Sequence, residues 1–444
     1  MRGDEVRDTG ALVGTTLGEL AEVARDVHRC LAERAFGLLG ERVLPVRLLH
    51  DAISGFAYAS ARLGVRALPS AAGAVAGAFS NPAAESALDA TRGRFAFGAL
   101  SGFWGDRLAE QRPSLAPPMR LRTHDGPLRR LPANVVHDVG DTATGRVVVF
   151  LHGLCENDLS WWLGAEKHWG DRRVTYGSLL RDADGWTPLY LSYNSGLHIS
   201  ANGRELAEHL DGLVAGWPVP VTQIAMVGHS MGGLVARSAG HQGVALGHAW
   251  ATALRHIVGL GVPHLGAPLE RFVNAGTHTL ARLPETQPFA TWLNRRSVGI
   301  KDLRYGAVLE DDWVGIDPDE RLRDRCTPAS LLPGVAYSCA SATLSRNPRG
   351  IFAHDLLVAH SSSTGNGRTR RIEFDPDRSF HMGHKHHFDL LGDPLVYDQL
   401  RGWLAGADGA APPKDAPRLG LGRLPTTRAD AWPSSVPAAH SALR

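Results

Sequence analysis

Cysteine is sparse in this 444-residue chain: Cys30, Cys155, Cys326 and Cys339 stand far apart, with no CxxC pair among them. That excludes a disulfide-dense scaffold and a cysteine-based structural zinc site, and free thiols in a reducing compartment are expected. Basic and acidic residues number 47 and 45, for a net charge of +2, and no Lys/Arg run occurs, so no nucleic-acid partner is expected. Long hydrophobic runs are also missing. The least polar stretch, residues 67–80, is rich in Ala and Gly, is broken by Pro69, and falls short of the roughly 20 apolar residues that span a bilayer. The opening MRGDEVRDTG has mixed charge and no apolar stretch behind it, unlike a secretory signal. The expectation is a cytoplasmic protein, with peripheral contact to a membrane or lipid surface through its N-terminal helices left open. What the chain does have is a globular balance, 43% apolar and 21% charged, enough to bury a sizeable core.

The pattern changes along the chain. Val13, Leu17, Leu20, Ala24, Val27 and Leu31 recur at threes and fours, as do Leu49, Ile53, Phe56, Ala59 and Leu63. A third helical segment carries Leu88, Phe95, Leu100, Phe103, Trp104 and Leu108. These spacings predict three amphipathic helices over residues 1–112, forming a small bundle or an appendage packed on something else. Residues 112–132 are rich in Pro and Arg and read as a linker into an edge hairpin. From there strand-like runs alternate with helical ones, at 146–151, 187–193, 223–227, 256–262, 334–340 and 368–374, which predicts a mainly parallel sheet covered on both faces. A closing helix is expected at 394–404 and a disordered tail at 406–444. The 113–405 region is thus expected to form one domain, with an insertion at about 264–333 that is too long for a simple connection.

The chemistry concentrates at IAMVGHSMGGLVARSAG, residues 224–240. An apolar strand-like run flows into Gly228-His229-Ser230-Met231-Gly232, and a helical pattern follows directly. G-x-S-x-G in that context permits a sharp turn that exposes the serine hydroxyl at a helix N-terminus, where backbone N–H groups face developing negative charge. Without that context it would be a glycine-rich turn with an incidental serine. About 80 residues upstream, VVVFLHGL ends a second strand-like run. A loop there supplies one oxyanion N–H in hydrolases of this kind and the residue after the nucleophile the other, which selects the backbones of Leu154 and Met231. His152 and His229 beside these loops, with Trp161 and Trp162 just after, are assigned to the substrate pocket, core packing being the alternative for the tryptophans.

Three segments, FLHGL, GHSMGGLVAR and LGVPHLGAP at 260–268, together carry a resemblance. The region 146–404 resembles the α/β-hydrolase fold of the lipase/esterase type, close to the triacylglycerol-lipase and GPI inositol-deacylase-like group. The resemblance implies a Ser-His-Asp triad in the chain order Ser, acid, His. Asp355, in HDLLVAHSS, fits the D-x-x-V pattern of that group, with Asp317, Asp319 and Asp389 as weaker candidates. Its histidine directly precedes an apolar-acidic-Leu-Leu run, which selects His387 over His386 and His384. The same histidine cluster could be read as a metal site, but no metal and no cofactor is expected. The resemblance implies that 113–405 is the catalytic domain and that its 264–333 insertion is a cap, which carries Phe272, Leu280, Phe289, Trp292, Leu293 and Trp313, enough apolar surface to cover an acyl pocket. The expected activity is hydrolysis of a carboxylic ester or lipid through an acyl-enzyme. An acyltransferase using the same nucleophile and a non-catalytic binding protein of this fold are the alternatives.

Overall fold

A computed structural model describes residues 1–39, 44–81, 83–124, 139–320, 324, 326–327, 329–348 and 353–406. The tail expected at 406–444 lies outside the described residues from 407 onward, as does the 125–132 part of the linker.

Among the described residues, seven strands form one sheet: β1 (Arg120–Arg122), β2 (Arg146–Leu151), β3 (Thr187–Ser192), β4 (Gln223–His229), β5 (Leu254–Leu260), β6 (Ala336–Thr343) and β7 (Ser379–Gly383). Their order is β1-β3-β2-β4-β5-β6-β7, with β1 antiparallel to β3 and every other pairing parallel. The central strands are buried on both faces, so they read as continuous apolar runs such as VVVFL and not as alternating ones. Helices α4 (Tyr176–Asp184) and α9 (Pro394–Ala405) cover one face, where Trp161, Trp186 and Trp403 are fully buried. Helices α5 (Ile199–Ala215) and α6 (Met231–Ala245) cover the other, with Leu206, Leu210, Leu234 and Val235 inward. This is the mainly parallel, doubly covered sheet that the alternating pattern predicts.

The strand expected at 368–374 is not there. Residues 366–371 make only an isolated bridge, Phe374 is buried against Tyr337 and His264, and Asp375-Pro376 opens a short 3₁₀ turn. The last strand lies one step further on, where Ser379–Gly383 pairs with Cys339–Thr343. SFHMG has little apolar character because it sits at the sheet edge, half-buried, so hydrophobic patterning passes over it.

Three helices precede the sheet: α1 (Gly3–Leu39), α2 (Leu44–Ala78) and α3 (Thr91–Gln111). The apolar stripes of α1 and α2 do not pack as expected. Val13, Leu17, Leu20 and Leu31 on α1 and Leu49, Ile53, Phe56 and Leu63 on α2 are all exposed. The two helices meet through glycines instead. A Cβ on Gly10 would stand 2.7 Å from Gly73 Cα, and Gly3 and Gly14 press equally on the backbones of Gly77 and Arg66. Absence of a side chain lets the helix axes approach so closely that larger apolar residues are displaced to the outside.

Helix α3 packs inward. Its Gly98, Gly102 and Gly105 face the loop after β2 and the turn after β3, and a Cβ on Gly98 would lie 2.7 Å from Glu156 O. Asn194 Nδ2 donates to Gly105 O at 2.8 Å. Buried Asp158 is held by Arg94 from α3 at 2.6 Å and by Arg122 from β1 at 3.2 Å. The 260–336 connection carries α7 (Pro268–Leu280) and α8 (Gln287–Leu293), with Phe272, Phe289 and Leu293 facing solvent. Glu19 and Arg34 of α1 form ion pairs with Arg295 and Glu285 of this connection.

Candidate active site

Strand β4 delivers Ser230 at a turn whose backbone has φ 52° and ψ −125°, an unusual conformation for a residue with a Cβ. Two close approaches make the turn feasible. Gly228 lies against the backbone of Gly232 and Gly233, and Gly232 against the carbonyls of Leu151 and His152, where any side chain would overlap. Ser230 N–H donates to Leu260 O at 2.9 Å, tying the turn to the end of β5. Helix α6 starts at Met231, so the serine sits at a 15-residue helix N-terminus.

Loops at the C-terminal ends of three strands converge on that turn. The loop after β2 places Gly153 against Ser230, since a Cβ on Gly153 would lie 2.9 Å from Ser230 Cβ. The N–H groups of Leu154 and Met231 have no acceptor among the described residues, whereas Gly153 N–H is taken by Glu156 Oε2 at 3.0 Å. From the loop after β7, His387 is buried, and its Nδ1–H donates to Asp355 Oδ2 at 2.6 Å. Asp355, also buried, accepts further from Leu357 N–H at 3.0 Å and Val358 N–H at 2.7 Å, and its backbone carbonyl accepts from His387 N–H. The carboxylate is thus fixed at both oxygens, and the ring is fixed through Nδ1. His387 Nε2 is buried and without a partner among the described residues. Gly261, at φ 64°, lets the chain pass the His387 ring, for its Cβ would lie 3.0 Å from Nδ1 and Cε1.

The other candidates are placed elsewhere. His384 and His386 are exposed, and His386 pairs with Asp389, which caps the 3₁₀ turn beginning at His387. Asp317 accepts from Asp319 N–H, and Asp319 pairs with Lys301 at 3.0 Å. No three His, Cys, Asp or Glu side chains among the described residues are grouped to hold a metal ion.

Of the residues assigned to the substrate pocket, Trp161, His152 and His229 are buried. Trp161 is buried edge-on to Phe150 in the core. His152 is fully buried, stacked on Tyr193 at 4.2 Å, with Nδ1–H donating to Gly153 O at 2.9 Å and Nε2 accepting from Tyr193 N–H. Burial lowers its pKa and keeps the ring neutral. His229 is fully buried as well, with its ring nitrogens on Glu156 and on the His387 carbonyl. Trp162 is half-buried against Tyr190 and His124. Trp313, expected in the cap, stacks on His198 at 3.8 Å and donates to Ser200 Oγ.

Glu156 escaped the sequence reading. Its Oε1 accepts from His229 Nδ1–H at 2.8 Å, so a buried acid joins the loop after β2 to the residue before the serine. Burial resists ionisation of both groups, but their mutual attraction and hydrogen bond prevail: the Glu156 pKa is lowered and the His229 pKa raised. The available signal was an acid three residues after a glycine in a loop that also carries FLHGL.

The sheet order, the strained serine turn and the loops at the C-terminal strand ends define an α/β-hydrolase. Within that class, residues 142–319 match the family described as the PGAP1-like alpha/beta domain. No curated protein matches the chain. Among solved structures it is similar to the mature lipase BlEst2 of Bacillus licheniformis, with 16% identity over 57% of this chain and 89% of that one and a TM-score of 0.35. It is likewise similar to the lin2722 gene product of Listeria innocua, with 17% identity, coverage of 59% and 94% and a TM-score of 0.32. EstA from Clostridium botulinum is similar at 11% identity, with coverage of 61% and 88% and a TM-score of 0.35.

Proposed function

We propose that this protein is a serine hydrolase that cleaves carboxylic esters through an acyl-enzyme. The observation that carries the proposal is the buried His387–Asp355 pair with an unpartnered Nε2, in the same loop cluster as a serine held at a strained strand-to-helix turn. Asp355 fixes the imidazole tautomer with the proton on Nδ1, which leaves the Nε2 lone pair free to accept the Ser230 hydroxyl proton. As Oγ bonds to the ester carbonyl carbon, the carbonyl oxygen gains charge and is met by the free N–H groups of Leu154 and Met231. The imidazolium, stabilised by Asp355, gives its proton to the departing alkoxide. Water then repeats the sequence on the acyl-enzyme: Nε2 takes its proton, the hydroxide adds to the carbonyl, and Ser230 leaves with the proton returned to Oγ.

Ser230→Ala decides the matter with a fluorophosphonate probe and p-nitrophenyl esters of graded acyl length. The wild-type protein should label and turn over, and the variant should lose labelling and fall by about 10⁴-fold or more in kcat, since triad members act as a unit. Equal turnover by Ser230→Ala overturns the reading. Running the assay with alcohol acceptors separates hydrolysis from acyl transfer by the products formed.

A docking role for the N-terminal hairpin is supported by its inside-out packing. Glycines line the α1–α2 contact while Val13, Leu17, Ile53, Phe56 and Leu63 face outward. No described helix is long and apolar enough to cross a membrane, so the reading is peripheral contact with a lipid surface. Replacing Ile53, Phe56 and Leu63 by Ser should abolish flotation with phosphatidylcholine–phosphatidylglycerol vesicles, and undiminished flotation sinks the idea.

A further inference from the structure

Three loops must keep register for the proposed reaction: the one carrying the oxyanion N–H of Leu154, the turn carrying Ser230, and the one carrying His387. One pair of side chains touches all three. Glu156 Oε2 accepts from Gly153 N–H at 3.0 Å, next to Leu154. Glu156 Oε1 accepts from Nδ1–H of His229, next to Ser230, at 2.8 Å. His229 Nε2 lies 3.3 Å from the backbone carbonyl of His387 and donates to it. The rings of His229 and His387 are 4.6 Å apart.

We infer that Glu156 and His229 form a positioning clamp that sets the oxyanion loop, the nucleophile and the base at their working separations, without touching substrate themselves. The inference rests on the serine-hydrolase reading above. Its physical basis is that all four polar atoms of the pair are engaged, in three hydrogen bonds that join the three loops. His229 Nδ1 and Nε2 bridge Glu156 and His387, and the two oxygens of Glu156 bridge His229 and Gly153. His229 can donate from both nitrogens at once only as the imidazolium, the state that the neighbouring Glu156 and Asp355 charges favour and burial alone opposes. His152, the other ring near Glu156, is held neutral and spends Nδ1 on Gly153 O, so it does not compete for the carboxylate. A donor that must meet charge appearing only in the transition state loses its effect when displaced by a fraction of an ångström, while ground-state binding is little altered.

The expected signature is therefore in kcat and not in KM. Glu156→Ala should lower kcat by about 100-fold with KM within about twofold of wild type, the size expected for a misplaced oxyanion donor. His229→Phe, which keeps a buried ring, should lower it similarly, and the double variant should lose no more than the worse single one, because both break one device. Glu156→Gln can still accept from Gly153 and donate to a neutral His229, so it should retain kcat to within about fivefold. Unchanged kcat in His229→Phe, a loss confined to KM, or a Glu156→Gln variant as slow as Glu156→Ala overturns the clamp. If Glu156→Ala fails to fold, Glu156→Gln is read against the wild type, and a loss in kcat well beyond fivefold overturns the clamp. Fluorophosphonate labelling of the wild-type protein is scored in the same series. If it is absent, the hydrolase reading has failed, whereas labelling with unaltered kcat in these variants means that only the clamp has.

Discussion

The α1–α2 pair and α3 are neighbours in sequence, similar in composition, and joined at their contacts by glycine in the same way, yet they serve different parts of the molecule. In the pair, Gly3, Gly10, Gly14, Gly73 and Gly77 press one helix on the other, and the apolar side chains are left facing solvent. In α3, Gly98, Gly102 and Gly105 press on Glu156, Cys155 and Asn194, which makes this helix the backing of the loop after β2. What places a helix here is where its backbone can approach another backbone, and apolar periodicity alone points to the wrong face.

The comparison is broken most severely at Gly102. A side chain there collides with Cys155 N at 2.9 Å, so Gly102→Val should cost about 3 kcal/mol in stability and displace the loop that offers the Leu154 N–H. Chemical denaturation and ester turnover both read it, and a stable, fully active variant would show that α3 does not support the loop. Arg94→Ala probes the same junction more mildly. It removes one of the two arginines on Asp158, whose side chain is only 3% exposed, and because Arg122 remains the loss should be about 2 kcal/mol, measured by urea unfolding. The smallest effect belongs to the hairpin. Replacing Ile53, Phe56 and Leu63 by Ser removes no buried contact, so stability should change by less than about 0.5 kcal/mol per site and turnover of a soluble short-chain ester should be unaffected. A large loss of stability would place that face in the core after all.

Much of the sheet was legible because its strands obey one simple rule: VVVFL and IAMVG are buried on both faces, so their apolar runs need no partner to be recognised. The strand Ser379–Gly383 was missed because an edge position tolerates Ser, His and Gly, while Ile372 and Phe374 upstream offered a better alternation without a pairing strand. Ser230 was readable because the turn demands glycine on either side of it. His387 and Asp355 were selected through resemblance, since nothing local distinguishes His387 from His386 or His384. Only the burial of His387 beside Asp355, with the other two exposed, separates them in space.

By itself the sequence determined the central parallel strands, the strand-to-helix turn at Ser230 and the presence of three helices ahead of them, because period and glycine placement are local properties of the chain. Tertiary structure alone decided which helix face is buried, that Trp161, His152 and His229 are internal, and that Glu156 spans from Gly153 to His229. These depend on groups 73 residues apart meeting in a dry environment, where a carboxylate persists only if a partner is already in place.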